Sequence, residues 1–336
     1  MWQSDFYIMV DQMESIEKAK QIENSWDSLV DGVRAGNVRS MARLITRVED
    51  REPGWKEAMK AIWPHTGNAR IFGITGSPGA GKSSLTCEIA AELVNRGHSV
   101  GIIAVDPSSP FTGGALLGDR LRMKKIFNLK NIFIRSMATR GMLGGLSQAA
   151  RDVIRIMDAF GKDIILIETV GVGQDEIEVV KAADLVMMVC IPGQGDGIQA
   201  LKAGVMEIAD LYIINKADLP GTDEVMADIA AMLELSSEIG YPVAPVLKTS
   251  ALKNQGIKDL VETLLTHQAG KNKQEFKRSI QVKEEILTLM EREVFRSIQS
   301  RWEHSGELAE AVQQMIDKKK DPYSIVAEML DHILGE

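Results

Sequence analysis

The sequence predicts an α/β fold in which a mainly parallel sheet is covered by helices on both faces and flanked by N- and C-terminal helical extensions. Three observations lead to it. Between Ala69 and Gln268, seven short apolar runs alternate with segments long enough for crossover helices. The first of these runs leads into a glycine-rich loop and then a helical pattern. The chain on either side has helical periodicity without strand signals. The expected divisions are an N-terminal helical extension (1–66), a sheet domain (67–268) and a C-terminal helical arm (269–336).

Taken in order, Ile16, Ile22, Trp26 and Leu29, and then Val33, Met41, Leu44, Ile45 and Val48, recur at helical spacing, punctuated by Asp31-Gly32 and Gly36-Asn37. Pro64-His65-Thr66-Gly67 breaks the pattern. The predicted strands follow at Ile71–Thr75, Val100–Val105, Ile132–Ser136, Ile164–Glu168, Leu185–Ile191, Leu211–Asn215 and Val243–Thr249. Runs this apolar suit strands buried on both faces, with a ligand at their C-terminal ends. Beyond His267, Val282, Ile286, Met290, Val294, Ile298 and Trp302 recur every four residues, joined by Leu287 and Phe295. A long helix with so broad an apolar stripe needs a partner surface, either the chain's own sheet domain or, as expected here, a second copy of the chain. Gly306 and Asp321-Pro322 divide the remainder into two shorter helices.

Composition excludes several classes. With a net charge of −8 over 336 residues there is no broad basic footprint for nucleic acid. No apolar run approaches the roughly 18 residues that span a bilayer. The first residues lack a basic region and are soon followed by Asp11, Glu14 and Glu17, so neither a secretory nor an organellar leader is expected and the chain reads as cytoplasmic. Cys87 and Cys190 fall inside a helix pattern and a strand pattern and share no metal-ligand spacing.

The chemistry starts at Gly76-Ser77-Pro78-Gly79-Ala80-Gly81-Lys82-Ser83-Ser84. A loop that wraps a polyphosphate turns its backbone N–H groups inward with no Cβ in the way, which accounts for the three glycines. Lys82 then reaches the β- and γ-phosphates, and the Ser83 hydroxyl is placed to ligate Mg²⁺. A second element, Asp163-Ile164-Ile165-Leu166-Ile167-Glu168-Thr169-Val170-Gly171, is a buried strand ending in a carboxylate. Glu168 can hold Mg²⁺ or a water, and the Gly171 amide can sense the γ-phosphate. The third, Asn215-Lys216-Ala217-Asp218, is a guanine-recognition element. Asp218 accepts from guanine N1–H and the 2-amino group together, and adenine leaves it unpaired. The Lys216 stem covers the base, Asn215 ties the turn to the phosphate loop, and amides of Ser250-Ala251-Leu252 meet guanine O6. GTP, hydrolysed to GDP, is thus the expected nucleotide. Asp106 and Asp119 bound a Gly/Ser/Pro loop and are either Mg²⁺-shell carboxylates or turn and helix caps. Asp196 and Lys202 follow another glycine-rich strand end, Pro192-Gly193-Gln194-Gly195-Asp196.

These stretches, with Val-Asp-Pro-Ser-Ser at 105–109, Glu-Thr-Val-Gly-Val-Gly-Gln at 168–174 and Lys-Lys-Asp-Pro-Tyr at 319–323, resemble the MeaB/ArgK-type P-loop GTPases, G-protein chaperones of adenosylcobalamin-dependent acyl-CoA mutases such as methylmalonyl-CoA mutase. The resemblance runs from about Gly36 to Leu330. It implies a Mg²⁺ shell of Ser83, Asp106, Asp119 and Glu168, and three switch loops around 106–119, 169–178 and 192–204, with Asp196 and Lys202 acting in the third. It also implies a C-terminal dimerisation arm and a mutase partner. Val172, not a glutamine, follows Gly171, which predicts slow intrinsic hydrolysis accelerated by a partner. Competing readings are a kinase linked to arginine or ornithine transport, a metal-delivery GTPase and a purely structural nucleotide-binding scaffold. The scattered histidines, at 65, 98, 267, 304 and 332, argue against metal delivery.

Overall fold

A computed structural model describes residues 25–106, 123–127, 129–138, 145–169, 182–193, 209–238, 244–267 and 271–334. The chain divides into two compact units, Met1–His267 and Gln268–Glu336.

The described part of the first unit starts with helices α1 (Trp26–Arg34), α2 (Val38–Glu49) and α3 (Trp55–Ile62). Polar caps start the first two: Ser25 Oγ accepts from Ser28 N–H, and Asn37 Oδ1 accepts from Arg39 and Ser40 N–H. Among the described residues there follow β1 (Arg70–Gly76), α4 (Lys82–Asn95), β2 (Val100–Asp106), β3 (Ile132–Ala138), α5 (Gly145–Ala159), β4 (Ile164–Thr169), β5 (Leu185–Cys190), β6 (Leu211–Ile214), α6 (Thr222–Glu238), β7 (Val246–Lys248) and α7 (Ile257–Thr266), with 3₁₀ turns at Trp63–His65 and Met123–Lys125. The seven strands form one sheet, ordered β3-β2-β4-β1-β5-β6-β7, and every pairing in it is parallel.

Alternation along the strands sorts side chains onto two buried faces. Phe72, Ile74, Ile102, Leu166, Met187, Val189 and Ile213 pack with Leu85 and Ile89 of α4 and Leu260 and Leu264 of α7. On the other face, Ile103, Val105, Ile165 and Ile167 pack with Val153 and Met157 of α5, and with Leu29, Val33, Met41, Leu44, Ile45 and Val48 of the first helices. The N-terminal helices therefore share the core of the sheet. Met188, Tyr212 and Ile214 meet Ile229 and Leu233 of α6.

All seven expected strands are present. β6 stops at Ile214 because Asn215 turns away into hydrogen bonds of its own. β7 starts at Val246, just after Pro245, which has no N–H for a ladder; Val243 lies outside the described residues.

The second unit holds α8 (Lys271–Ser305), α9 (Glu307–Ile316) and α10 (Pro322–Leu334). Gly306, at φ +81°, makes the turn between the first two. Asp321 caps the last, its carboxylate accepting from Tyr323 and Ser324 N–H at 3.0 Å each. Val282, Ile286, Met290, Val294 and Phe295 of α8 are exposed.

Candidate functional site

The site lies along the C-terminal ends of β1, β4 and β6. β1 is the central strand, between β4 and β5. Its last residue, Gly76 (φ +138°), lies so close to β5 that a Cβ would stand 2.2 Å from the Val189 carbonyl oxygen. The loop Ser77-Pro78-Gly79-Ala80-Gly81 then turns into α4, Gly79 and Gly81 taking φ of +78° and +83°. Lys82 is buried, its Nζ donating to Gly76 O at 2.7 Å and Ser77 O at 2.9 Å. The ammonium is thus fixed over the loop's own carbonyls, at the N-terminus of a helix whose first amides carry partial positive charge.

Register brings the acid in. β4 pairs with β1 and β2, so Glu168 lies opposite Ile74 and Ala104. The Ser83 hydroxyl donates to Glu168 Oε1 in a short hydrogen bond, and both residues are buried. Asp106 is the last residue of β2, opposite Ala138 at the same edge of the sheet. Gly171, Asp119, Asp196 and Lys202 lie outside the described residues, as do most of the three expected switch loops.

The Asn-Lys-x-Asp turn is tied to this loop through two side chains, Asn215 and Lys216. Asn215, 2% exposed, donates from Nδ2 to Ala80 O at 2.9 Å, and its Oδ1 accepts from Thr249 Oγ1 at 3.2 Å and Ala251 N–H at 3.1 Å. Lys216 has φ +58°, a left-handed conformation unusual for a residue with a side chain. Its Nζ donates to Gly79 O at 2.9 Å, laying its stem across the gap between the two loops. A cavity of about 250 Å³ is bounded by Gly81, Ser84, Lys216, Asp218, Ala251 and Leu252, among others. Ser84 and Gly81 lie at its phosphate-loop side, Asp218 and Leu252 at the other.

Of the three amides expected to face guanine O6, two have protein acceptors: Ser250 N–H donates to Gln255 O at 3.0 Å and Ala251 N–H to Asn215 Oδ1. Among the described residues no acceptor takes the Leu252 N–H. The Ser250 hydroxyl, followed by Lys253, holds the Asp218 carboxyl below its usual range, with Lys253 Nζ 3.2 Å from Asp218 Oδ2. Sequence reasoning missed Lys253. Its one signal was adjacency to Ser250-Ala251-Leu252, which by itself marks nothing. Cys87 also borders the cavity, and burial, reinforced by Glu168, pushes its thiol up to about 12, so it is an inert wall.

A glycine loop clasping a lysine at a helix N-terminus, tethered by an asparagine to an Asn-Lys-x-Asp turn, defines the protein as a P-loop GTPase. Comparison with known proteins agrees. Residues 41–303 match the family model described as methylmalonyl-CoA mutase-associated GTPase MeaB, and the chain belongs to that family. A putative GTPase of Pyrococcus abyssi is 45% identical over 318 residues, covering 92% of this chain and 97% of the other. GTPase ArgK of Escherichia coli is 39% identical, over 69% of this chain and 73% of its own. The mouse protein named methylmalonic aciduria type A homolog, mitochondrial, is 34% identical over 71% of this chain and 62% of its own. A solved structure of a protein named LAO/AO transport system kinase superposes with a TM-score of 0.65 at 26% identity, covering 93% of this chain and 98% of that one.

Proposed function

We propose that this GTPase hydrolyses GTP with Mg²⁺ and couples its nucleotide state to loading or protection of the cofactor in an adenosylcobalamin-dependent acyl-CoA mutase of the methylmalonyl-CoA type. The observation that carries the nucleotide chemistry is the Ser83–Glu168 pair. Two hard oxygen donors meet beside the lysine of the phosphate loop, the donor set that Mg²⁺ prefers. Ser83 and Glu168 would hold the ion, with Asp106 and Asp119 as further carboxylates. Bound there, Mg²⁺ would neutralise charge on the β- and γ-phosphate oxygens.

The chain's own groups do the rest. The amides of Gly79, Ala80, Gly81, Lys82, Ser83 and Ser84, with the Lys82 ammonium, stabilise charge on the transferring phosphoryl group. Water is the nucleophile. Gly171 senses the γ-phosphate, and Asp196 and Lys202 act from the third switch loop. Asp218 selects guanine. The mutase assignment rests on the family's association with that enzyme, and the likeness to the mouse methylmalonic aciduria type A homolog supports it.

On this reading residues 67–268 carry the chemistry in the cytoplasm, 1–66 form a helical extension, and 269–336 form a homodimerisation arm through the exposed stripe of α8. Among the described residues no helix is long and apolar enough to cross a membrane. Sedimentation equilibrium tests the dimer.

The test of function is GTP turnover with and without the mutase. Slow hydrolysis that the mutase accelerates, and cobalamin transfer that differs between GDP and a non-hydrolysable GTP analogue, are expected. Turnover of several per second with no mutase effect would overturn the proposal. Likeness to a solved protein that is named a kinase favours a second reading, transfer of the phosphoryl group to an acceptor other than water. With γ-labelled GTP, label in free phosphate supports the GTPase and label on a macromolecule or metabolite the kinase.

A further inference from the structure

We propose that Lys253 is a positioning residue for guanine: from behind the Asp218 carboxylate it fixes the orientation in which both oxygens face the base. This rests on the guanine-binding reading above.

The turn that carries Lys253 is built to hold a side chain still. Ser250 and Gln255 exchange two backbone hydrogen bonds, 3.0 and 3.1 Å, and so close residues 251–254 into a small loop. Asn254 takes φ +53° to complete it. The next residue but one, Gly256 (φ +71°), lies so near β7 that a Cβ there would stand 2.2 Å from Lys248 O. The loop is thereby pinned to the sheet, and Lys253 projects from it to within 3.2 Å of Asp218 Oδ2. Lys253 N–H donates to Ser250 Oγ at 3.4 Å, while the Ser250 hydroxyl donates to Asp218. Ser250 is buried, and the Asp218 side chain is only 16% exposed.

A carboxylate has about four lone-pair directions, two on each oxygen. Guanine N1–H and the 2-amino group need one on each. Ser250 and Lys253 occupy others, and in doing so they remove rotation about the Asp218 carboxyl bond before the base arrives. Lys253 is not among the residues that line the cavity, whereas Asp218 and Ser250 are. Its effect must run through Asp218, and it must fall hardest on ligands that use both carboxylate oxygens.

Inosine diphosphate separates these cases because it offers N1–H and lacks the 2-amino group. The experiment measures Kd for GDP, IDP and ADP by calorimetry on the full chain, for wild type, Lys253→Met and Lys253→Arg. The methionine variant should bind GDP about fivefold more weakly, the upper range for a half-exposed ion pair. It should bind IDP nearly as wild type does, so the GDP-to-IDP preference shrinks, and arginine should restore both. Equal losses for GDP and IDP, or no loss, would overturn the proposal. So would tighter GDP binding by Lys253→Met, which would make the lysine a competitor for the carboxylate. If wild type bound GDP and ADP equally, the guanine reading itself would fail, an outcome distinct from these.

Discussion

Asn215→Ala removes one side chain and three hydrogen bonds: those to Ala80 O, from Thr249 Oγ1 and from Ala251 N–H. All three are in the interior, and the side chain is 2% exposed. At about 1 kcal/mol each, the loss is about 3 kcal/mol. In a unit of this size that corresponds to a fall of roughly 6–12 °C in Tm. Of these three, the Ala80 bond is the one that crosses to the phosphate loop, alongside the Lys216–Gly79 bond, so its share, about 1 kcal/mol, should appear as a fivefold or so loss of GDP affinity. Asn215→Asp tests the geometry: it keeps the shape and both accepting roles but turns an oxygen towards Ala80 O, and should do no better than alanine. Scanning calorimetry with and without GDP measures stability, and titration calorimetry measures affinity. An alanine variant that melts within about 2 °C of wild type and binds GDP unchanged would refute the claim that this side chain couples the two loops.

Gly81→Ala puts a Cβ 2.6 Å from Asn215 Nδ2 at a φ of +83°, and should cost about 1–3 kcal/mol of stability with near-complete loss of GTP turnover, read by melting and phosphate release. Arg51→Ala removes the 2.7 Å partner of buried Asp152 and should cost about 2–3 kcal/mol, because Arg51 is a quarter exposed and Arg155 remains 3.5 Å away. Burial already holds the Asp152 carboxyl above its usual range, and losing Arg51 raises it further. A raised carboxyl contributes stability that is lost as pH rises, so urea melts should show a larger deficit at about pH 8 than at about pH 5. Cys87, its thiol pushed up to about 12, should resist iodoacetamide at about pH 8 in native protein and react once unfolded, read by mass spectrometry.

The strands were legible because burial on both faces leaves the same mark on each: Ile164-Ile165-Leu166-Ile167 could be little else. The phosphate loop and the Asn-Lys-x-Asp turn were legible because their chemistry is local. What has no local signal is pairing across the chain. Arg51 and Asp152 are separated by 101 residues. Asp158 accepts from the N–H groups of Gly67, Asn68 and Ala69, fixing the entry to β1, and nothing near either segment announces the other. The N-terminal helices read as an appendage for the same reason: their apolar stripe says that they pack, whereas its partner, Val153, Met157 and Ile167, lies a hundred residues on. Lys253 is the corresponding case at the site. A lysine after Ser-Ala-Leu is ordinary until a two-bond turn aims it at Asp218.

The topology explains why the phosphate chemistry sits where it does. The chain leaves β1 for β2, passing over the position that β4 later fills, and then crosses from β4 to β5 on the far side of β1. Connections diverge on either side of the β1 tip, and that divergence opens the crevice in which ligands bind in such sheets. A central strand also has neighbours on both edges, so its end is crowded by backbone. The Val189 carbonyl occupies the space of a Gly76 Cβ, and the Asn215 amide that of a Gly81 Cβ. Side chains are therefore excluded from the loop by the same packing that lines it with amides. The few that remain must enter from neighbouring strand ends: Glu168 from β4, and Asn215 and Asp218 from the turn after β6. Asn215 and Asp218 border the cavity, while Glu168 meets the Ser83 hydroxyl beside the phosphate loop, so the three side chains stand at different places along the strand ends.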